Sequence, residues 1–512
     1  RYISVTGVQT CALPISKKVP DIKITLIESR NIPIIGVGES TLNGFNTFIN
    51  LLDIQEKDWM PKCNAIYKTS IRFTNFFQNG SHYHDTLKQI VNPVEMNDIN
   101  DFYLLCQQYP EEFNVFDFPK FFDDNYLMTI NNRYTSDPGP MNWNPNFERA
   151  YHFDAYKFGL TLKDLVAIPN GVNHIVDDIY AVRTDDNGIT CLETIENGSL
   201  SADLYIDCSG FKSLLLEQSL KVDLISFADR ITNDSAIATN IPYENVQKEM
   251  ETFTDCIAMS SGWIWNIPIW DRIGGGYVYS SQFIDKENAS EEFRSNLKQR
   301  FGDRADNLEF RHMKFNPGAR EFPWFKNTVG IGLSCGFLGP LRSTGLALTQ
   351  EMIENFVNII VNSEGNIKNF DREYYNDVVI KKMKLARDWV SAQSALSRRT
   401  DTPYWTHRTQ NVNNSSDSEY YRNIFESLTA KIQPNMENKK FNISYHRVLA
   451  GAGYGYLNKI DYETMKKKDR NLEARLHNLK YAWLNHHNAL KQYIKTLPHT
   501  SDFLSQTIYR EF

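Results

Sequence analysis

An apolar stretch at residues 328–333 feeds a glycine-rich turn at 336–345, and a helical pattern follows from about 346 to 361. That order of strand, turn and helix predicts an α/β fold with the glycine turn at the end of a buried strand. An earlier stretch has related features. Ile-Lys-Ile-Thr-Leu-Ile at residues 22–27 reads as a strand ending in the acidic Glu28, the place where dinucleotide-binding folds hold a ribose hydroxyl. A second glycine-rich loop, Gly36-Val37-Gly38-Glu39-Ser40-Thr41, leads towards a helix through residues 45–52. The Gly-x-Gly-x-x-Gly turn that cradles a pyrophosphate should lie about 20 residues before the acidic residue. Only Gly7 stands in that region. The run Val-Thr-Gly-Val-Gln-Thr-Cys-Ala-Leu-Pro-Ile at residues 5–15 reads like an in-frame translation of a sequencing-library adapter. Residues 1–16 are therefore expected to be an artefact outside the fold, replacing the N-terminal strand and its glycine loop.

Composition narrows the function classes. A chain of 512 residues suggests roughly three domains, or one large enzyme with insertions. The net charge of −7 argues against nucleic acid or an anionic membrane as the main partner. No run of about 18 apolar residues offers a membrane span. The seven cysteines are scattered without a CxxC pair, so neither a disulfide framework nor a metal site is expected, and a reducing cytoplasm is the simplest location.

Along the chain, residues 75–147 read as an irregular insertion forming a substrate-side wall, and residues 151–166 as helix. Residues 223–283 look β-rich, with a Gly274-Gly275-Gly276 turn between strands. Beyond residue 369 the pattern is mainly helical. Leu472, Leu476, Leu479, Trp483, Leu490 and Tyr493 recur at helical spacing there, with His486-His487 expected in solvent. His82-Tyr83-His84-Asp85 has ligand-type residues but no third spaced ligand, so no metal is assigned.

Three motifs in consistent order carry a family resemblance. Gly262-Trp263-Ile264-Trp265-Asn266-Ile267-Pro268 resembles the Trp-x-Trp-x-Ile-Pro signature of flavin-dependent halogenases of the tryptophan-halogenase type. Residues 36–41 resemble that family's flavin strap, Gly-Val-Gly-Glu-Ala-Thr, with Ser40 in place of alanine, and residues 330–345 resemble its loop ending in Pro-Leu-Glu-Ser-Thr-Gly. Tyr151-His152-Phe153-Asp154-Ala155 and Asp207-Cys208-Ser209-Gly210-Phe211 are shorter matches.

The resemblance implies a glutathione-reductase-like FAD/NAD(P)-binding fold with a largely helical substrate-covering region: a core at 17–368 and a helical region at 369–512. It implies halogenation of an electron-rich aromatic, such as an indole, phenol or pyrrole, using FADH2, O2 and chloride or bromide. A flavin hydroperoxide and hypohalous acid relayed to Lys68 would carry the reaction. Gly36, Val37, Gly38, Glu39 and Ser40 would form the strap. Glu28 would hold the ribose, Ile179 would offer an adenine-side backbone contact, and Leu333 and Leu346 would meet the flavin ring. Thr344 and Gly345 would bind halide through their amides, and Trp263 and Trp265 would screen flavin from substrate. A separate flavin reductase is the implied partner, a free or carrier-bound aromatic the substrate, and a homodimer is compatible.

One position departs from the family. Arg342 stands where the family carries a glutamate, and a guanidinium cannot act as a base. It could bind halide or a substrate carboxylate, or point elsewhere, and it favours a substrate other than free tryptophan. Two alternatives stay open: a single-component flavin monooxygenase and a degenerate, non-catalytic flavin-fold protein.

Overall fold

Five strands run parallel in a six-stranded sheet ordered Trp324–Phe325, Thr328–Gly330, Leu204–Asp207, Tyr2–Val5, Ile24–Glu28 and Asn173–Val176, with only Trp324–Phe325 antiparallel. This computed structural model describes residues 2–5, 22–31, 38–87, 93–412 and 461–510. The expectation that residues 1–16 contribute nothing to the fold is corrected for Tyr2–Val5, which pairs with Leu204–Asp207 on one side and Ile24–Glu28 on the other. Tyr-Ile-Ser-Val has high strand propensity, and without it the sheet would open two unpaired parallel edges at its centre. Gly7 lies outside the described residues. The strand Leu204–Asp207 is wholly buried. Its last carboxylate is satisfied by the backbone N–H groups of Ser209, Leu215 and Leu216 at 3.0, 2.9 and 3.0 Å, which ties the following turn to the sheet.

A second sheet of seven strands runs Arg311–Lys314, Ser235–Pro242, Arg272–Tyr279, Gly262–Pro268, Phe253–Ala258, Ser70–Thr74 and His82–Thr86. The predicted glycine turn is corrected here: Gly274, Gly275 and Gly276 lie inside the strand Arg272–Tyr279. The turn falls earlier, where Ile269 N–H donates to the Arg272 carbonyl at 2.8 Å. The glycines leave room for what crosses them, since a Cβ on Gly276 would overlap the Trp265 ring. Side chains from both sheets, including Leu26, Ile206, Phe73, Trp263 and Val329, share one core.

Residues 75–147 are less irregular than expected. They supply the edge strand His82–Thr86 and the helices Pro93–Gln108, Phe118–Phe122 and Asn125–Ile130. Residues 151–166 begin as a strand, Ala150–Phe153, before the helix Ala155–Leu162. Asp154 caps that helix by accepting from Lys157 N–H at 3.0 Å.

The helix Asn369–Ala395 packs on Thr344–Asn362, with Tyr375 and Phe356 both edge-on to the buried Trp324. The helix Leu472–Thr496 has the predicted apolar face. Leu472 and Leu476 bury against Leu104, Leu105 and Phe113, and Leu490 and Ile494 bury against the cluster around Trp59. His487 departs from expectation: it is buried and stacked on Trp483 at 4.5 Å, where desolvation lowers its pKa to about 4. Among the described residues no helix is long and apolar enough to cross a membrane.

Candidate active site

A three-stranded sheet brings distant segments together. Glu39–Ser40 and Ile66–Lys68 both pair antiparallel with Ala150–Phe153, so that Ser40 and Ile66 flank His152 and Lys68 sits beside Ala150. The turn before Thr344–Asn362 meets this sheet. Arg342 and Ser343 there are consecutive left-handed residues with φ of 64° and 57°. Such a conformation disfavours any side chain with a Cβ, so the turn needs anchors.

Lys68 is one anchor. Its side chain is fully buried, and Nζ donates to the Thr41 carbonyl at 2.7 Å and to Ser343 Oγ at 3.1 Å. Burial lowers its pKa to about 7, with Cys256 and Asp85 opposing and Arg342 adding to the fall. A substantial neutral fraction therefore exists at physiological pH, as a nucleophilic amine requires. From Ser343 the hydrogen bonding continues through buried side chains. Ser343 Oγ is 2.8 Å from Ser40 Oγ, which is 2.7 Å from Thr254 Oγ1, itself 2.8 Å from His152 Nε2. His152 Nδ1 stands 3.0 Å from the Pro268 carbonyl.

A largely apolar cavity with about 1270 Å³ of empty space, its open mouth included, lies against this network. Gly38, Glu39 and Ser40 form one side, Trp263 and Trp265 another, and Leu333, Arg342, Ser343, Gly345 and Leu346 a third. The two indoles project from the same face of Gly262–Pro268 with centroids 6.1 Å apart, as residues two apart on a strand must. Flat aromatic walls and bare glycine backbone suit a planar heteroaromatic ring system, so the residues present fit a flavin. Glu39 is half-buried here, and desolvation pushes its carboxyl up to about 7. A smaller cavity of about 440 Å³ adjoins across Trp263 and Val278, lined by Phe76, Leu341, Val390, Tyr404 and Trp405.

The structure brings together most of the predicted residues, though not all. Gly38, Glu39, Ser40, Trp263, Trp265, Leu333, Arg342, Gly345 and Leu346 share the large cavity. Thr344 opens the helix Thr344–Asn362 beside it. Glu28 ends its strand as predicted, but it accepts from His174 Nε2 at 2.8 Å and Lys163 Nζ at 3.1 Å, away from the cavity lining. Ile179 begins the strand Ile179–Asp185, next to the chain that pairs with Glu28. Gly36 and Val37 lie outside the described residues.

Arg342 lines the large cavity, and its guanidinium is also engaged by protein groups. Its guanidinium forms an ion pair with the buried Asp85 and donates to Tyr83 Oη at 3.2 Å. Its Cζ lies 4.5 Å from the Trp389 ring centroid and 4.9 Å from that of Phe73. Asp85 carries no signal of its own in the sequence beyond the ligand-type run His82–Asp85; it lies on an edge strand whose inner residues are buried. Thr254 and Ser343 gave no isolated signal. His152 stood within a motif already noted, without a role. Among the described residues, no group of three or more histidine, cysteine or acidic side chains could hold a metal.

The chain has relatives among known proteins, in sequence and in fold. The family model described as tryptophan halogenase matches residues 7–461. The 7-chloro-L-tryptophan 6-halogenase KtzR of Kutzneria sp. (strain 744) is 33% identical over 400 residues, which span 75% of this chain and 76% of that protein. The apo structure of VirX1 superposes with a TM-score of 0.88 at 36% identity, covering 99% of each chain. The tryptophan 6-halogenase SttH of Streptomyces toxytricini superposes with a TM-score of 0.82 at 27% identity, covering 98% of this chain and 99% of that one.

Proposed function

The chain belongs to the tryptophan halogenase family and is a flavin-dependent halogenase, and from that premise we propose that it chlorinates or brominates an electron-rich aromatic, an indole first, through Lys68. The observation that carries the proposal is Lys68 itself: fully buried, near neutral in pKa, and hydrogen-bonded to the same Ser343 that lines the large cavity. Bound reduced FAD, with O2 and halide, would supply hypohalous acid.

In this reading the fold is of the glutathione-reductase-like FAD-binding type. Glu28 holds the ribose, Ile179 the adenine side, and Leu333 and Leu346 the ring, with the strap of Gly36, Val37, Gly38, Glu39 and Ser40 across it. Thr344 and Gly345 present first-turn amides to the halide, where a helix N-terminus favours an anion. Trp263 and Trp265 keep the aromatic substrate from the flavin. The Lys68 amine would hold hypohalous acid by hydrogen bond, or take its halogen as a haloamine, the N–halogen bond forming as the O–halogen bond breaks and water leaves. The smaller cavity beyond Trp263 is the substrate side, and its wall combines Phe76 with Val390, Tyr404 and Trp405, from the two regions expected to set specificity. The Asp85 ion pair with Arg342 counts against a direct role for Arg342 in holding halide or substrate carboxylate. A separate reductase in the cytoplasm supplies FADH2.

The test supplies FADH2, O2 and halide with tryptophan, simpler indoles, phenols and pyrroles, and reads halogenated product by mass. Product from the wild type, lost in Lys68→Ala with FAD binding retained, supports the proposal. Hydroxylated product with NAD(P)H alone would replace it with the monooxygenase reading. Flavin binding without any product would replace it with the degenerate one.

A further inference from the structure

The hydrogen bonds that reach Lys68 run in one direction, which follows atom by atom. The Pro268 carbonyl can only accept, so His152 Nδ1 carries the proton and donates to it at 3.0 Å. His152 is fully buried and held well below its ordinary pKa by desolvation and by Lys68, so it is neutral and its Nε2 accepts. The Thr254 hydroxyl, 2.8 Å away, must therefore donate to Nε2. Thr254 Oγ1 then accepts from Ser40 at 2.7 Å, Ser40 from Ser343 at 2.8 Å, and Ser343 from Lys68 at 3.1 Å. The Thr41 carbonyl takes a second N–H of Lys68 at 2.7 Å.

A neutral amine has two N–H bonds and one lone pair. Both N–H bonds of Lys68 are spent on acceptors that cannot reverse, so the lone pair is left with the one remaining direction. We infer that His152, Thr254 and Ser40 are positioning residues that act through Ser343 to aim the Lys68 lone pair. This rests on the reading of Lys68 as the group that receives the oxidised halogen. The strap that residues 36–41 resemble carries alanine at the position of Ser40, which would interrupt the chain between Ser343 and Thr254. The device therefore belongs to this chain's own sequence.

Breaking the chain frees the Ser343 hydroxyl to rotate and donate to the amine. That caps the lone pair and favours the neutral form over the ammonium. An intact chain does the reverse, because each donated proton makes the next oxygen a better acceptor. The titratable and charged groups facing Lys68 are Asp85, Cys256, Arg342 and His152; Ser40→Ala touches none of them, and Thr254→Val touches only His152, whose Nε2 loses its donor.

The experiment titrates the apoprotein with 13Cε-labelled lysine by NMR, assigning Lys68 through its loss in Lys68→Met, and measures the limiting acetylation rate of Lys68 by peptide mass. In Ser40→Ala and Thr254→Val the Lys68 midpoint should fall by about one pH unit, as loss of a charge-assisted hydrogen bond predicts, and the limiting rate should fall severalfold. Thr254→Ser, which keeps the hydroxyl, should match the wild type in both. Unchanged midpoints in the two breaking variants would overturn the inference, as would a shift in only one of them, or a Thr254→Ser shift as large as that of Thr254→Val. Because the readout needs no cofactor, a wild type that yields these shifts but no halogenated product supports the chain while overturning the halogenation reading.

Discussion

Trp265 lies across Gly276, its register partner on the neighbouring strand, and fills the space that a Cβ there would need. The indole is thus held flat by an absence of side chain, with Trp263 alongside it on the same face of the cavity. Gly276→Ala should displace the ring into the cavity and strain the sheet, because the Cβ would also meet the Ile237 carbonyl. The expected cost is about 1–3 kcal/mol, the usual price of overpacking, together with weakened flavin binding. Denaturant melts and quenching of FAD fluorescence would check both, and unchanged values would show that Trp265 has room elsewhere.

Lys68 makes stability depend on pH in a definite direction. Its folded pKa of about 7 lies below the ordinary lysine value of 10.5, so the unfolded chain binds the extra proton between them. Stability should rise as pH increases from about 7 towards 10.5, by at most about 5 kcal/mol. That increment should vanish in Lys68→Met, and the difference between the two proteins in urea melts isolates it. Halogenation should follow the neutral amine, rising with pH through about 7 to a plateau.

Asp85→Asn removes the buried carboxylate that pairs with Arg342, whose guanidinium lies beside Phe73, Trp389 and Tyr83. A loss of about 3–5 kcal/mol is expected. Replacing both partners, as Asp85→Leu with Arg342→Met, should recover most of it. A double variant no more stable than Asp85→Asn would mean that the pair's geometry, and not the changed charge balance, sets the cost.

Glu39 titrates the opposite way. Desolvation raises its carboxyl to about 7 from an ordinary 4.5, so the folded protein holds the proton longer and stability falls as pH climbs through that window. Glu39→Gln should melt like the wild type at pH 4 and above it at pH 8. Equal melting temperatures at both would contradict a desolvated carboxyl.

The sequence made the elements and the lining of the cavity legible because strands, glycine turns and indole spacing are local properties. The strand from residue 328, the helix after the second glycine turn and the paired tryptophans could all be read from short windows. Long-range pairings could not. Lys68 and Ser343 are 275 residues apart, and Arg342 and Asp85 are 257 apart, so their partnership depends on the finished sheets. The glycine triplet at 274–276 misled for a related reason, since Gly276 makes room for an indole from another strand. His487 misled because its helix face could be counted but not what covers it. Tyr2–Val5 was discounted on the look of the sequence around it, whereas a sheet accepts a strand on propensity and register alone.

The left-handed turn at Arg342 and Ser343 is a latch with two bolts. Two consecutive residues with positive φ would relax on their own, and each is pinned by a different partner, Arg342 by Asp85 and Ser343 by Lys68. Drawing either bolt releases the same hinge. The ion pair and the lysine are therefore mechanically one part, and damage to the first will be felt at the second.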